Sequence, residues 1–281
     1  GFQGADESGE ITTLGRGASV TTALALAAVL KAQRCEINTD VDGVYTTDPR
    51  LEPKARKINV ISYDEMLELA SLGAGVMHSR AIEFGKKYGV EIHVRSSFSD
   101  SPGTVITHEV KQMEDIVVSG ATVKKDLAQI VLLGLPNRPG VAADIFARVA
   151  EHDVVVDDII QTIDESGLAS TSFTVEQSYL AETKLVAEEI RKEFELKDVV
   201  FINPVAKVSV VGVGMRSHTG VALKMFRALA EAQININAIT TSEIKISCII
   251  DPAEAERALR VVHAAFELDK EPAGGGKKDR T

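Results

Sequence analysis

An internal repeat constrains this chain more than any other feature. Leu135-Pro136-Asn137-Arg138-Pro139-Gly140-Val141-Ala142 corresponds to Met215-Arg216-Ser217-His218-Thr219-Gly220-Val221-Ala222 at an offset of 80 residues. The register holds through Phe146 and Phe226, Ala150-Glu151 and Ala230-Glu231, and Val154–Ile160 against Ile234–Thr240. Beyond the second strand the offset falls to about 76, because Thr241-Ser242-Glu243 is a tighter turn than Thr162–Gly167. Each copy reads as strand, glycine-initiated helix, strand, strand, helix. The first copy is complete, with strands at Gln129–Gly134, Val154–Thr162, Ala169–Val175 and, after a helix over Glu182–Phe194, Val199–Asn203. The second has strands at Lys207–Gly212, Ile234–Thr240 and Ile244–Ile250 and a helix over Pro252–Phe266, but only a glycine- and lysine-rich tail after it. That tail, residues 270–281, reads as disordered. The strand that the second copy lacks has a spare candidate, Ile116–Val123. The repeats then divide into residues 127–204 for the first module and 113–126 plus 205–269 for the second, which encloses the first.

Residues 1–112 read differently. Gly1–Gly9 has no apolar periodicity and reads as a loop. Small residues, hydroxyls and one arginine (Thr12 to Ser19) precede Thr21–Leu30, a run with strong helix preference. A glycine-rich turn opening a helix leaves free N–H groups and the positive dipole end facing outward, a ready anion site. Cys35–Thr39 reads as a short strand and Asp40–Arg50 as a long polar loop at its end, where open α/β sheets place ligands. Ser62 and Glu65 form a capping box for a helix over Tyr63–Leu72, and a second helix follows at Val76–Tyr88. Val90–Arg95 alternates strictly, which makes it a strand with His93 on a solvated polar face. Ser96–Gly103 is a polar loop and Thr104–Thr107 a short strand. The whole segment is of α/β type.

Composition narrows the functional classes. A net charge of −10 and a pI near 5.2 argue against nucleic-acid or anionic-membrane partners. No apolar run approaches the roughly 20 residues that span a bilayer. Cys35 and Cys248 lie far apart within apolar runs, the pattern of buried thiols in a reducing compartment, so the expected localisation is cytoplasmic. The six histidines show no metal-ligand spacing, and no metal-binding side chains are expected.

Two segments carry a resemblance. Thr39-Asp40-Val41-Asp42-Gly43-Val44-Tyr45-Thr46-Thr47-Asp48-Pro49-Arg50 and Thr12-Thr13-Leu14-Gly15-Arg16-Gly17-Ala18-Ser19 resemble hallmarks of the aspartate kinases, within the amino-acid kinase superfamily. The likeness continues to about Asp269. It implies an α/β chain in which the rear half of an amino-acid-kinase (carbamate-kinase-like) three-layer domain is followed by two ferredoxin-like βαββαβ ACT modules. The family's K-F-G-G opening is not seen, so a missing N-terminal portion is expected. The implied activity is ATP-dependent phosphorylation of the L-aspartate side-chain carboxylate, with Mg²⁺, to 4-phospho-L-aspartate. That reaction is the first step toward lysine, threonine and methionine, under feedback by lysine and/or threonine. The implied catalytic residues are Arg16 and Ser19, holding the substrate carboxylate. Thr39, Asp40, Tyr45 and Arg50 are the implied nucleotide contacts. For the effector the resemblance implies Asn137, Gly140, Val141, Ala142, Asp157 and Gln161 in the first module. In the second it implies Thr219, Gly220, Val221, Asn235 and Asn237. Asp157 is the expected partner of the effector's ammonium, and the ACT modules are expected to pair into homo- or hetero-oligomers. Two departures stand in the chemistry: Val20 replaces the family's aspartate, and Gly75 its phosphate-reaching lysine. Losing that cation from a polyanion site costs several kcal/mol, so weak or absent activity is expected of this copy. The alternative is a non-catalytic amino-acid-sensing regulatory subunit with a degenerate kinase remnant.

Overall fold

The computed structural model describes residues 1–13, 15, 17–73, 77–108 and 117–271. The chain opens with a hairpin, β1 (Gln3–Ala5) and β2 (Ile11–Thr13), where a loop is expected from the sequence. The Asp6 carboxylate closes it, accepting the Ser8 and Glu10 N–H groups at 2.9 Å and the Ser8 hydroxyl at 2.7 Å. A turn built on one carboxylate needs no apolar alternation, so periodicity cannot reveal it.

Helix α1 (Ala18–Val29) leads into β3 (Arg34–Thr39), and the loop beyond contains β4 (Val44–Tyr45), paired with β5 (Lys57–Ile58). Next come β6 (Val60–Ser62), α2 (Tyr63–Ser71), α3 (Ser79–Tyr88), β7 (Glu91–Ser96) and β8 (Thr104–Thr107). The main sheet of this unit has the order β3-β7-β8-β6, with β3 and β7 parallel and in register from Arg34↔Glu91 to Thr39↔Ser96. Their C-terminal ends therefore lie side by side. The expected capping box is present: Ser62 Oγ accepts the Glu65 N–H and the Glu65 carboxylate accepts the Ser62 N–H, both at 3.2 Å. Helix α3 starts at Ser79 rather than Val76, because the His78 ring caps it by accepting the Arg80 N–H. Val76 lies outside the described residues. His93 is buried, with Nε2 2.6 Å from the Pro102 carbonyl oxygen, and is not solvated. The strict alternation misleads here because β7 is an interior strand with both faces covered. Leu24, Ile61, Met66, Ile82, Ile92 and Ile106 fill the core of this unit, each contributing roughly 1.5–3 kcal/mol by burial.

The second half begins with β9 (Gly120–Leu135), α4 (Val141–Glu151), β10 (Val156–Ile163), β11 (Ala169–Glu176) and α5 (Leu180–Glu193). It continues with β12 (Asp198–Val211), α6 (Val221–Glu231), β13 (Ala238–Thr241), β14 (Lys245–Ile250) and α7 (Ala255–Ala265). All these strands form one antiparallel sheet in the order β10-β11-β9-β12-β14-β13. Four strands expected from the sequence, at Ile116–Val123, Gln129–Gly134, Val199–Asn203 and Lys207–Gly212, are in fact two long ones. Irregularities absorb the breaks instead of ending the strands: Asp126 takes a φ of 58°, and the register shifts twice between Ile202 and Lys207. The two long strands are shared. Leu127–Leu133 pairs with Asp198–Val205 beside the first module's strands, and Gly120–Lys124 pairs with Lys207–Val211 beside the second's. Pairing begins at Gly120; Ile116, Met113 and the tail from residue 272 lie outside the described residues.

Alternation then sets two environments on each module. Ala128, Ile130 and Leu132 join the core that includes Ile145 and Ile190 of the first module's helices, and Ala206, Val208 and Val210 join the one that includes Met225 and Leu259 of the second's. Residues between them point the other way. They form a small apolar cluster of Leu127, Val205 and Ile249, and leave Gln129, Lys207, Ser209 and Ser247 buried.

Candidate functional site

The first candidate site lies where β3 and β7 end together. Thr39 is the last residue of β3, and its hydroxyl donates to Asp40 Oδ1 at 2.9 Å. Asp40 is exposed at the strand end. Tyr45 hydroxyl donates to Asp42 Oδ1 at 2.8 Å, and Lys57 Nζ donates to Asp42 Oδ2 at 3.2 Å and to the Ser101 hydroxyl. The Tyr45 hydrogen bond, followed by Lys57 and Ser101, holds the Asp42 carboxyl below the usual range despite partial burial. Burial and the neighbouring Asp42 push the Tyr45 phenol up to about 12, so it remains a donor. Gly43 makes this loop possible: its φ is 145°, and a Cβ there would stand 2.7 Å from Thr104 Oγ1. That hydroxyl accepts the Val44 N–H at 2.8 Å and donates to the Ile58 carbonyl at 2.5 Å.

The structure does not join every expected residue to this cluster. Arg50 is 88% exposed and forks onto Asp48, with Nη2 2.7 Å from Oδ2 and Nε 3.0 Å from Oδ1. Arg16 and Gly75 lie outside the described residues. Ser19 is exposed in the first turn of α1, and Val20 packs against the core at its edge. The α1 N-terminus lies tight against the start of α3, since a Cβ on Gly17 (φ 77°) would meet His78 Cβ at 2.7 Å. Sequence reading missed a cavity of about 540 Å³ lined by Asn38 and by Arg95 to Asp100 at the ends of β3 and β7. Its signal was the polar Ser96–Gly103 loop read only as a turn.

The Asp40–Arg50 loop is fastened to the second module. Thr46, fully buried, has its Oγ1 3.0 Å from Nε2 of His263 on α7, and its carbonyl accepts the Ala121 N–H at 2.8 Å. Burial keeps the His263 ring below its ordinary pKa and so neutral. Arg260 Nε donates to the Leu51 carbonyl at 2.9 Å. Glu65 makes a second joint. Its Oε2 takes the Ser62 hydroxyl at 2.7 Å, and its Oε1 takes the Ser119 hydroxyl at 2.5 Å and the Val213 N–H at 3.0 Å.

The second candidate site is in the repeats. Gly140 (φ 99°) and Gly220 (φ 86°) precede α4 and α6, and neither helix has a side-chain cap among the described residues, which leaves the first-turn N–H groups at Val141, Ala142 and Val221 without a helical partner. Asn137 and Thr219 are exposed in the preceding turns. Gln161 Oε1 accepts the Thr171 hydroxyl at 3.2 Å, and Asn235 Nδ2 donates to Asn237 Oδ1 at 3.3 Å. Asp157 is not a vacant ammonium acceptor: its Oδ2 already receives Lys207 Nζ at 2.6 Å.

Comparison with known proteins places both halves. The chain matches the amino acid kinase family over residues 1–96 and the ACT domain over residues 129–195 and again over 208–266. It is 50% identical to an aspartokinase of Helicobacter pylori over 274 residues, covering 96% of this chain and 67% of that protein. An aspartate kinase of Pseudomonas putida is 47% identical over 278 residues, again with 67% of its length covered. Among solved structures, the aspartate kinase of Clostridium acetobutylicum matches with a TM-score of 0.84 at 28% identity, over 95% of this chain and 62% of that one. The E. coli aspartokinase III in complex with lysine and aspartate gives 0.74 at 28% identity, over 95% and 59%. The regulatory subunit of aspartate kinase from Thermus thermophilus covers 53% of this chain with 99% of its own, at 41% identity and a TM-score of 0.50. The chain thus spans about two thirds of the length of the curated relatives it matches.

Proposed function

The chain belongs to the aspartate kinase family, and from that premise we propose that it serves ATP-dependent phosphorylation of the L-aspartate side-chain carboxylate under feedback control by an amino acid. One observation carries this reading. The polar loop at the ends of β3 and β7 is fastened through Thr46 and His263 to a module of the repeat pair, so a substrate-side element and a sensing element share one hydrogen-bonded body. Transfer of a phosphoryl group asks for positioning and charge neutralisation more than covalent chemistry. Thr39, Asp40 and Tyr45 are assigned to the nucleotide, and Ser19 and Arg16 to the aspartate carboxylate. A phosphate-bound Mg²⁺ keeps most of its waters and needs only one or two carboxylates, a role that exposed Asp40 fits. The product is 4-phospho-L-aspartate, on the route to lysine, threonine and methionine. Lysine, threonine or both are the proposed effectors at Gly140, Asp157, Gln161 and their second-module counterparts, and the site is completed by pairing of like modules in a cytoplasmic oligomer.

A second reading, a sensing subunit with a degenerate kinase remnant, draws on two features. Val20 packs against the core where the family carries an aspartate, and a regulatory subunit of aspartate kinase matches 53% of this chain with 99% of its own. Hydroxamate trapping of aspartyl phosphate, run beside thermal melting with L-lysine or L-threonine, separates the two. We expect a melting shift with at least one amino acid and little or no hydroxamate, rising when Val20→Asp and Gly75→Lys are combined. Melting shifts with no gain from the double restoration favour the sensing subunit. No shift with either amino acid overturns the feedback proposal.

A further inference from the structure

Lys207 is 1% exposed, yet it carries a charge into the face between the two modules. Its Nζ lies 2.6 Å from Asp157 Oδ2 and 2.7 Å from Asp158 Oδ2. Adjacent residues of a regular strand point to opposite faces, so two consecutive carboxylates cannot normally reach one ammonium. Here a bulge allows it: Asp158 adopts a φ of 49°, and the β10–β11 register shifts between Asp157 and Ile160. The two aspartates then differ sharply. Asp158 is 4% exposed and saturated, with Thr240 donating to Oδ1 at 2.9 Å and Thr174 to Oδ2 at 3.2 Å. Asp157 is 60% exposed and has Lys207 on one oxygen and the Asp158 N–H on the other at 2.8 Å. One ammonium against two carboxylates leaves a residual negative charge, and the accessible member of the trio is Asp157.

We infer that Lys207 belongs to the effector site of the first module, sharing Asp157 with the ammonium group of a bound α-amino acid. The inference rests on the effector reading proposed above and adds how occupancy is transmitted. An incoming ammonium draws Asp157 toward itself and weakens that carboxylate's hold on Lys207, which rides on the second module's stretch of the shared strand β12. Six residues further along the chain from Lys207, the Val213 N–H is bound to Glu65, and Glu65 caps α2 of the N-terminal unit. At roughly 3.3 Å per strand residue, about 20 Å of chain joins the shared carboxylate to that helix. Linkage is reciprocal, so whatever the ligand does to Lys207, Lys207 does to ligand affinity.

The test measures amide hydrogen exchange over Lys207–Val211 and Lys245–Ile250, and affinity by calorimetry, with L-lysine and L-threonine on the full chain. The informative variant is Lys207→Gln with Asp158→Asn, which removes one charge of each sign and leaves Asp157 unshared. We expect wild-type exchange in these strands to change on binding, and the double variant to bind at least threefold more tightly with that response lost. Asp157→Asn, at an exposed side chain with the Lys207–Asp158 pair intact, is expected to weaken binding at least tenfold, which keeps the test decisive if the double variant does not fold. Unchanged affinity in Asp157→Asn, or an unchanged exchange response in the double variant, overturns the sharing of Asp157 while leaving effector binding in place. A wild-type chain that binds neither amino acid overturns both readings together.

Discussion

Gln129 on the first module's stretch of β9 and Lys207 on the second module's stretch of β12 are both buried on the sheet face away from the helices, five residues before Gly134 and Gly212. Around them the chemistry diverges. Lys207 meets two carboxylates, whereas Gln129, 6% exposed, buries an Oε1 atom that has no hydrogen-bond partner among the described residues. Asp157 and Asp158 of the first module correspond to Asn237 and Ala238 of the second, so the charged pairing cannot recur. A repeated backbone thus carries one ionic and one neutral face. The difference teaches that the two modules are not equivalent. In the lysine half, charge fixes one arrangement through Lys207 and Asp158. The apolar contact of Leu127 with Val205 and Ile249 belongs to neither half alone, since Leu127 comes from the first module and the other two from the second.

The sharpest way to break this comparison is to remove the lysine alone. Lys207→Met leaves Asp158 buried and unpaired, and breaking a buried pair from one side typically costs about 3–5 kcal/mol. Gln129→Met removes an acceptor that has no partner among the described residues, so it is expected to be neutral or to stabilise by about 1 kcal/mol. Urea titrations of both variants measure the two values. Equal losses would show that the lysine is held by packing and not by its carboxylates.

How far the chain could be read without its structure depended on the kind of evidence each part left. Helix starts were legible at Gly140 and Gly220, because a glycine followed by an amphipathic run is a local signal. The Ser62–Glu65 capping box was legible for the same reason. The Thr39–Arg50 loop was legible through its motif, although its two-residue strand was not, since β4 exists only because Thr104 and Lys57–Ile58 hold it from outside. Asp42 is one acidic residue of a polar loop by sequence, and only the approach of Tyr45, Lys57 and Ser101 makes it the centre of a cluster. The fusion of four expected strands into two was hidden by the polar Lys124-Lys125-Asp126 break, which a bulge passes over. Lys207 was hidden most deeply. A lysine in an alternating strand reads as solvent-facing, and its true environment comes from β10, some fifty residues earlier in the chain.

A second variant sharpens the contrast between a module bound to the N-terminal unit and its neighbour. Glu65 is fully buried and accepts from Ser62, Ser119 and Val213. Glu65→Gln turns one acceptor into an NH₂ group facing a backbone N–H, a clash of donors expected to cost about 1–3 kcal/mol. Native-state exchange should locate the loss in α2 and in the second module, with α4 and α5 of the first unaffected. A uniform loss across both modules would show that the chain unfolds as one unit.

The smallest expected effect separates the modules by pH, through two histidines shifted in opposite directions. His152, at the end of α4, has Nδ1 2.6 Å from Glu182 and Nε2 3.4 Å from Glu189. The Glu182 hydrogen bond leads in raising its pKa above 6.5. A histidine raised in the folded state contributes stability that is full below its unfolded pKa and is lost as pH rises through the folded value. His263 behaves oppositely: burial pushes it below 6.5, against the pull of Glu52 and Asp269. Its contribution is full above the unfolded pKa and is lost as pH falls from about 6.5 through the folded value, when the ring beside Thr46 must charge in a buried place. Lowering the pH from 8 to 5 should therefore leave the first module's α4–α5 contact slightly firmer, while the α7 contact with the Asp40–Arg50 loop loosens. Imidazole NMR titration should place His152 above His263, and exchange at Thr46 and along α7 should quicken below about pH 6.5. Coincident titrations, or an α7 indifferent to pH over this range, would mean that the second module's hold on the loop does not depend on a neutral His263.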